Sequence, residues 1–216
     1  YLVWTDVKNL EYFKKEKLDK YKNNIINYNM RSVYDLTILP FNKNPINKIL
    51  LAGHINKSYP DREKLIKFKS VVHLKNNNNE YRNMELNKIN NFSNNLHKYL
   101  CCFSSSVYAP NKTTNKLENT HSILLKNFEI LGVGSLLLVP RTEEKYLNKL
   151  GLIHNLNCIY VDMTSNIDIQ KKINFITHNS NKHIIDRIRA SGQKHGITNL
   201  NTEQKYSELK DILKKI

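Results

Sequence analysis

Short, almost wholly apolar runs alternate with longer segments after residue 45, and this alternation constrains the fold more than any other feature. The runs are KILLAG (Lys48–Gly53), SVVHL (Ser70–Leu74), YLCCFSSS (from Tyr99), SLLLV (135–139) and CIYVD (Cys158–Asp162). A strand that is covered on both faces needs no polar alternation, as in a parallel sheet between helices. The order therefore predicts an α/β fold with an open parallel sheet and helices on both faces.

The segments between the runs carry apolar residues at helical spacing. They cover Pro60–Lys69, Met84–Leu100, Ser122–Leu131, Ile167–Ile176, His183–Ala190 and Thr202–Ile216. In the third of them, Leu124, Phe128 and Leu131 share one face of the predicted helix. Gly132 and Gly134 are predicted to end that helix and to turn the chain into the next strand.

The first 44 residues have a different pattern. YLVWT (Tyr1–Thr5) predicts a buried strand, and Asn9 to about Tyr28 predicts a lysine-rich helix. Pro40 and Pro45, with polar residues between them, predict a linker. We therefore divide the chain into 1–44, an N-terminal strand-helix segment with a linker, interpreted as the remnant of another lobe, and 45–216, the α/β domain.

The formal net charge is +15 over 216 residues, and a basic face is typical of a phosphate-binding surface. The lysines are scattered among asparagines and isoleucines, which is the pattern of an AT-rich coding sequence. Arginine, which binds phosphates and guanines in a bidentate manner, is scarce. Nucleic acid is therefore disfavoured as a partner. A non-catalytic basic α/β module that binds RNA or another polyanion is kept as the alternative function.

Three cysteines, Cys101, Cys102 and Cys158, cannot pair completely, and two of them are adjacent. A disulfide framework is therefore not expected, which favours a reducing compartment and predicts the cytoplasm. CxxC and HExxH spacings are absent, so no structural or catalytic metal is predicted. No apolar run approaches the roughly 18 residues that cross a bilayer, and no signal peptide is recognised.

The predicted helix Ser122–Leu131 begins where an anion would be favoured, because doubly wound sheets bind ligands where loops lead into helix N-termini. Three polar residues could cap this helix: Asn119, Thr120 and Ser122. Lys126 and Glu129 lie three residues apart, so spacing alone predicts a surface ion pair. Glu143 and Glu144, after the next strand, are interpreted as solvated.

The segment HSILLKNFEILGVGSLLLVPRTE (121–143) keeps a lysine, a Phe-Glu pair, a glycine and an apolar strand in order. It resembles a block in the C-terminal nucleotide-sugar-binding lobe of GT-B glycosyltransferases, particularly the group similar to the spore-maturation protein CgeB. KILLAGHINKSYPDR (48–62) is similar to the first strand and loop of that lobe. KHIIDRIRASGQKHG (182–196) is similar to its C-terminal helices, with an Ala-x-Gly turn at Ala190 and Gly192.

This resemblance implies a Rossmann-like fold, a single GT-B type lobe, over the second domain. It implies a glycosyltransferase, or its donor-binding domain, that transfers a sugar from a nucleotide-diphosphate sugar to an acceptor glycan, protein or lipid. Glu129 would accept hydrogen bonds from the ribose hydroxyls, and Lys126 would neutralise the diphosphate without a metal. Gly53 would let the backbone approach the phosphates, and His54 or Arg62 would donate to them. The resemblance implies no cofactor besides the donor and assigns no catalytic residue.

Two features depart from the family pattern. The His-Thr-Tyr-x-x-Arg element of the family is replaced by Asn199-Leu200-Asn201-Thr202, with no arginine after it. GT-B enzymes react between two lobes, and only residues 1–44 precede the predicted domain. We therefore expect the acceptor site to lie in an N-terminal lobe outside this chain.

Overall fold

A computed structural model of the protein describes residues 2–4, 25–27, 32–33, 37–74, 86–110, 116–120 and 123–214. The strands are β1 (Leu2–Trp4), β2 (Ile25–Asn27), β3 (Ile46–Ala52), β4 (Val71–Leu74), β5 (Tyr99–Phe103), β6 (Tyr108–Pro110), β7 (Leu117–Asn119), β8 (Leu136–Pro140) and β9 (Ile159–Val161). Five of them form a parallel sheet in the order β4-β3-β5-β8-β9. The predicted open parallel sheet is confirmed.

The described helices are α1 (Pro60–Leu65), α2 (Leu86–Lys98), α3 (Leu125–Gly132), α4 (Glu144–Leu147), α5 (Asn166–Thr177), α6 (Lys182–Asn199) and α7 (Thr202–Lys214). Single 3-10 turns flank α4 at Arg141–Glu143 and Asn148–Leu150, and another lies at Asn179–Asn181.

Apolar side chains of the sheet pack against helices on both faces. Ile49 and Leu51 of β3 belong to one core with residues of α1, α5 and α6. Leu50 and Ala52 belong to the opposite core with residues of α2, α3 and α4. All four side chains are almost completely buried. Because successive side chains point to opposite faces, this double burial explains the continuous apolar run.

Two helix boundaries differ from the prediction. Helix α1 ends at Leu65 rather than Lys69, and tight turns bring Phe68 against the core. The predicted turn at Ala190 and Gly192 is wrong, because both residues lie inside α6. A Cβ at Gly192 would stand 2.6 Å from Asn157 O. The glycine there permits close packing of a continuous helix.

The predicted cap of α3 is also wrong. The helix begins at Leu125 with Leu124 at the N-cap and no side-chain cap. Asn119 instead belongs to the antiparallel hairpin of β6 and β7, which was not predicted, and Thr120 N donates to Val107 O. Ser122, the third predicted cap, lies outside the described residues.

The C-terminal end of α3 follows the prediction. Gly132 is the last helical residue, and Gly134 has a φ of +71°. This left-handed backbone is the conformation that glycine adopts readily after a helix. The two glycines therefore end α3 and lead into β8, as predicted.

The N-terminal segment contains a parallel pair of strands, β1 and β2. The predicted strand Tyr1–Thr5 is confirmed at Leu2–Trp4. The predicted helix does not reach Tyr28, because Ile25–Asn27 forms β2, and two adjacent isoleucines favour a strand. The remainder of that predicted helix lies outside the described residues.

Arg189 of α6 ties the linker to the α/β domain. Its side chain is buried and donates from Nε to Gly134 O and from Nη2 to Asn42 O. Its Nη1 lies 2.7 Å from Asp186 Oδ1, and the guanidinium carbon stands 4.7 Å from the centroid of the Phe41 ring. Every nitrogen of this guanidinium therefore has a partner.

Candidate functional site

The carboxyl edge of the sheet has a switch point between β3 and β5. The chain passes from β3 to its neighbour β4 on one side and then to β5 on the other side. Open α/β sheets bind ligands in the crevice at such a point. Gly53 follows β3, and the buried segment Ser104–Ser106 follows β5. This crevice is the candidate site.

Gly53 stands at the centre of the crevice in a backbone conformation that favours glycine. Its φ is +109°, and a Cβ there would lie 3.0 Å from Arg62 Nη1 and 3.3 Å from Lys126 Nζ. His73 Nε2 of β4 lies 2.7 Å from Gly53 O and donates to it. The structure thus brings together three residues that the sequence singled out: Gly53, Arg62 and Lys126.

Arg62 is held rigidly on α1. The residue is buried, and Nη1 donates to His54 O at 2.8 Å. The guanidinium carbon lies 4.0 Å from the centroid of the Tyr59 ring, a cation-π contact. His54 is an exposed residue. The backbone carbonyl of His54, rather than its imidazole, therefore takes part in this arrangement.

Lys126 lies in the first turn of α3, and its Nζ donates to Ala52 O. The pKa of Lys126 is lowered to about 8, chiefly by burial and also by the positive charge of Arg62, whereas Glu129 opposes the change. Two cations that repel each other in a partly desolvated crevice favour a bound anion, because the anion relieves the repulsion.

Glu129 lies one turn after Lys126 and is half-buried. Burial raises the pKa of its carboxyl, and the charge of Lys126 partly offsets that effect. Among the described residues, no ion pair joins Lys126 to Glu129, because the lysine is directed to the end of β3 instead. The surface ion pair that spacing predicts is therefore absent from this helix.

Glu143 was interpreted as solvated, and this interpretation is wrong. The residue is 2% exposed, and its Oε1 accepts a hydrogen bond from Ser106 N at 2.7 Å. Burial raises the pKa of Glu143 to about 7. Glu144, by contrast, forms a partly exposed ion pair with Arg141. The position of Glu143 directly after a predicted inner strand is the signal that could have identified it.

Several buried polar groups near the strand ends are unusual. The hydroxyls of Ser104 and Ser105, which directly follow β5, have no hydrogen-bond partner among the described residues. The same holds for both amide atoms of Asn127, the neighbour of Lys126. Buried groups of this kind are costly for stability. Their presence beside the crevice is typical of a region shaped by function rather than by packing alone.

Two properties of the described part of the chain concern metals and membranes. No cluster of three or more His, Cys, Asp or Glu side chains in it is placed to bind a metal ion. No described helix has both the length and the apolar composition needed to cross a membrane. The three cysteines are free and buried: Cys101, Cys102 and Cys158.

No family model and no curated protein sequence matches the chain, but solved structures resemble it. The pneumococcal O-GlcNAc transferase GtfA, determined with UDP and GlcNAc, matches with a TM-score of 0.57 at 12% identity over 99% of this chain. HepE of Anabaena, determined with UDP-glucose, matches with a TM-score of 0.60 at 9% identity over 99% of this chain. Sucrose-phosphate synthase from Thermosynechococcus elongatus matches with a TM-score of 0.60 at 10% identity, again over 99%.

These similar proteins are GT-B glycosyltransferases. The chain spans 44% of the length of GtfA, 63% of HepE and 57% of sucrose-phosphate synthase. At such low identity, a shared structure shows a shared fold and leaves activity to be argued from the site. The chain therefore has the Rossmann-like α/β fold of a GT-B glycosyltransferase lobe.

Proposed function

We propose that this chain is the donor-binding part of a glycosyltransferase and that its crevice binds the diphosphate of a nucleotide sugar. The observation that supports this most directly is the convergence of Arg62 and Lys126 on Gly53. A diphosphate needs compensating positive charge and close approach to the backbone, and a glycine next to two cations offers both. The location at the switch point of the sheet adds to the support.

The same groups would assist the transfer of the sugar. When the bond between the sugar and the diphosphate breaks, negative charge grows on the leaving diphosphate. Arg62 and Lys126 would stabilise that charge without a metal. Glu129 would hold the ribose, because an ionised carboxylate can accept hydrogen bonds from two neighbouring hydroxyls. We assign no phosphate contact to the exposed imidazole of His54.

An acceptor glycan, protein or lipid would be bound with the help of a second lobe. The structures of GtfA and HepE contain UDP or UDP-glucose, so uridine-diphosphate sugars are the first donors to test. A cytoplasmic location accords with the proposal, since nucleotide sugars are made there.

The test compares Glu129→Gln with the parent chain by ligand-observed NMR, with UDP-glucose, UDP-GlcNAc and GDP-mannose as ligands. Loss of a charge-assisted hydrogen bond is expected to weaken binding about ten- to a hundredfold. The free energy of unfolding should change by less than about 0.5 kcal/mol, because Glu129 forms no ion pair with any residue that the structure describes. Glu63→Gln, a change at an exposed acid of α1, is the matched control and should bind as the parent does.

Two outcomes would contradict the proposal. In the first, none of the sugar nucleotides binds the parent chain at millimolar concentration. In the second, Glu129→Gln binds as tightly as the parent. Filter binding with single-stranded RNA at two salt concentrations tests the alternative function, which requires an affinity that falls steeply with salt.

A further inference from the structure

A buried pair of acids lies beside the crevice and has no role in the proposed function. Glu143 and Asp61 are each 2% exposed. Glu143 accepts the Ser106 amide hydrogen bond, and Tyr108 Oη donates to Asp61 Oδ2 at 3.4 Å. The pair thereby connects three parts of the carboxyl edge: the turn after β8, the segment after β5 and the start of α1.

The charges around the pair decide how it holds protons. Burial raises the pKa of Glu143, the Ser106 amide opposes the change, and the charge of Asp61 adds to it. Burial also raises the pKa of Asp61, against the charges of Lys64 and Arg62. Among the residues that the structure describes, Tyr108 of β6 and Tyr160 of β9 also interact with the pair. Two acids in one buried region do not both ionise readily, so the pair loses its last proton near neutral pH.

We propose, on the basis of the diphosphate site proposed above, that Glu143 is a positioning residue of that site. Its carboxyl group holds the Ser104–Ser106 segment at the switch point, and its charge, through Asp61, sets how strongly the adjacent Arg62 attracts a diphosphate.

The proposal has a defined pH dependence. A protonated Glu143 still accepts the hydrogen bond of the Ser106 amide but no longer adds negative charge to the acid pair, which interacts with Arg62 through Asp61, so a diphosphate binds more tightly. An ionised Glu143 weakens the same binding. The diphosphate of a sugar nucleotide has no proton to lose near neutral pH, so the dependence belongs to the protein. Ionisation of Lys126 and of Glu129 also affects the binding of a diphosphate. It does so in the same way in the parent and in the Glu143 variants, so it does not change the comparison between them.

The experiment measures UDP-glucose affinity by titration calorimetry at pH 5.5 and 7.5 for the parent, Glu143→Gln, Glu143→Ala and the neighbouring control Glu144→Gln. The affinity for UDP-glucose at pH 5.5, divided by the affinity at pH 7.5, should be about two- to fivefold larger in the parent than in Glu143→Gln. Glu143→Gln keeps an acceptor for the amide, so at pH 7.5 it should bind more tightly than the parent. Glu143→Ala should bind UDP-glucose weakly at both pH values, and Glu144→Gln should show the same affinities as the parent.

A second measurement needs no nucleotide. The side-chain carboxyl carbon of Glu143, followed by NMR, should titrate near pH 7 and at lower pH in Asp61→Asn. The proposed role of Glu143 is overturned if its carboxyl titrates below pH 5 in the parent. It is also overturned if UDP-glucose binding has the same pH dependence in the parent and in Glu143→Gln. If Glu143 titrates near pH 7 but the parent does not bind UDP-glucose, the donor site itself is overturned, and with it the positioning role that depends on that site.

Discussion

Two buried arginines occupy opposite edges of the sheet and differ in what surrounds their charge. Arg189, at the amino edge, donates to two carbonyls and pairs with Asp186. Arg62, at the carboxyl edge, lies with a second cation, Lys126, close to the position that a Cβ of residue 53 would take. The two residues are almost equally buried, since Arg189 is 1% exposed and Arg62 is 3% exposed. Burial therefore does not distinguish a stabilising charged group from a candidate ligand-binding group, whereas the neighbours of the charge do.

The largest effect is expected at the amino edge. Arg189→Met leaves the buried Gly134 carbonyl and the partly buried Asn42 carbonyl without their donor and removes one of the two cations that pair with Asp186. The change should lower the free energy of unfolding by about 2 to 4 kcal/mol. Lys182→Met, which removes the exposed partner of the same aspartate, should cost less than about 0.5 kcal/mol. Urea denaturation measures both. If the two variants were equally stable, Arg189 would have no structural role, and the contrast between Arg189 and Arg62 would fail.

A smaller effect on stability, but a direct effect on binding, is expected at the carboxyl edge. Gly53→Ala forces a side chain into a left-handed conformation, at about 1 to 2 kcal/mol, and pushes Arg62 and Lys126 apart. Affinity for UDP-glucose should fall about tenfold. Gly151→Ala is the control, since its φ is also positive and its Cβ would meet His195 rather than the crevice. If both variants lost affinity equally, general strain would account for the loss.

The smallest effect concerns the protonation of Lys126. Because the folded-state pKa is about 8, UDP-glucose affinity should fall about fivefold from pH 7 to pH 9. Stability should change in the opposite direction. The unfolded chain holds this proton more tightly, so the fold gains stability as pH rises above about 8 toward the ordinary pKa of lysine.

The variant that tests this is Lys126→Met, which should remove the stability trend and most of the affinity trend, leaving the smaller fall in affinity that ionisation of Glu143 causes. Lys145→Met at an exposed position of α4 should keep both trends. Calorimetry and urea denaturation at pH 7, 8 and 9 provide the measurements. Persistence of the full affinity trend in Lys126→Met would assign it to another group.

Local patterns predicted the parts of the fold that depend on neighbours in the sequence. The run Lys48–Gly53 indicated β3 because both of its faces are buried, and Gly134 indicated the end of α3 because of its left-handed backbone. The hairpin of β6 and β7 was not predicted, because strands of three residues carry little periodicity. The turn at Ala190 and Gly192 was predicted wrongly, because a glycine that permits close packing resembles one that ends a helix.

The α/β order followed from the sequence, because strand and helix periodicity are local properties. The candidate site residues Lys126, Glu129, Gly53, Arg62 and His54 followed from the resemblance of sequence segments to a GT-B lobe. The partner of each charge, by contrast, depends on the tertiary structure. Lys126 bonds to Ala52, 74 residues earlier, rather than to Glu129 one turn away. Glu143 is buried by a segment 37 residues earlier. Parallel strands bring distant loops to one edge, and burial there changes proton affinities by amounts that no local pattern contains.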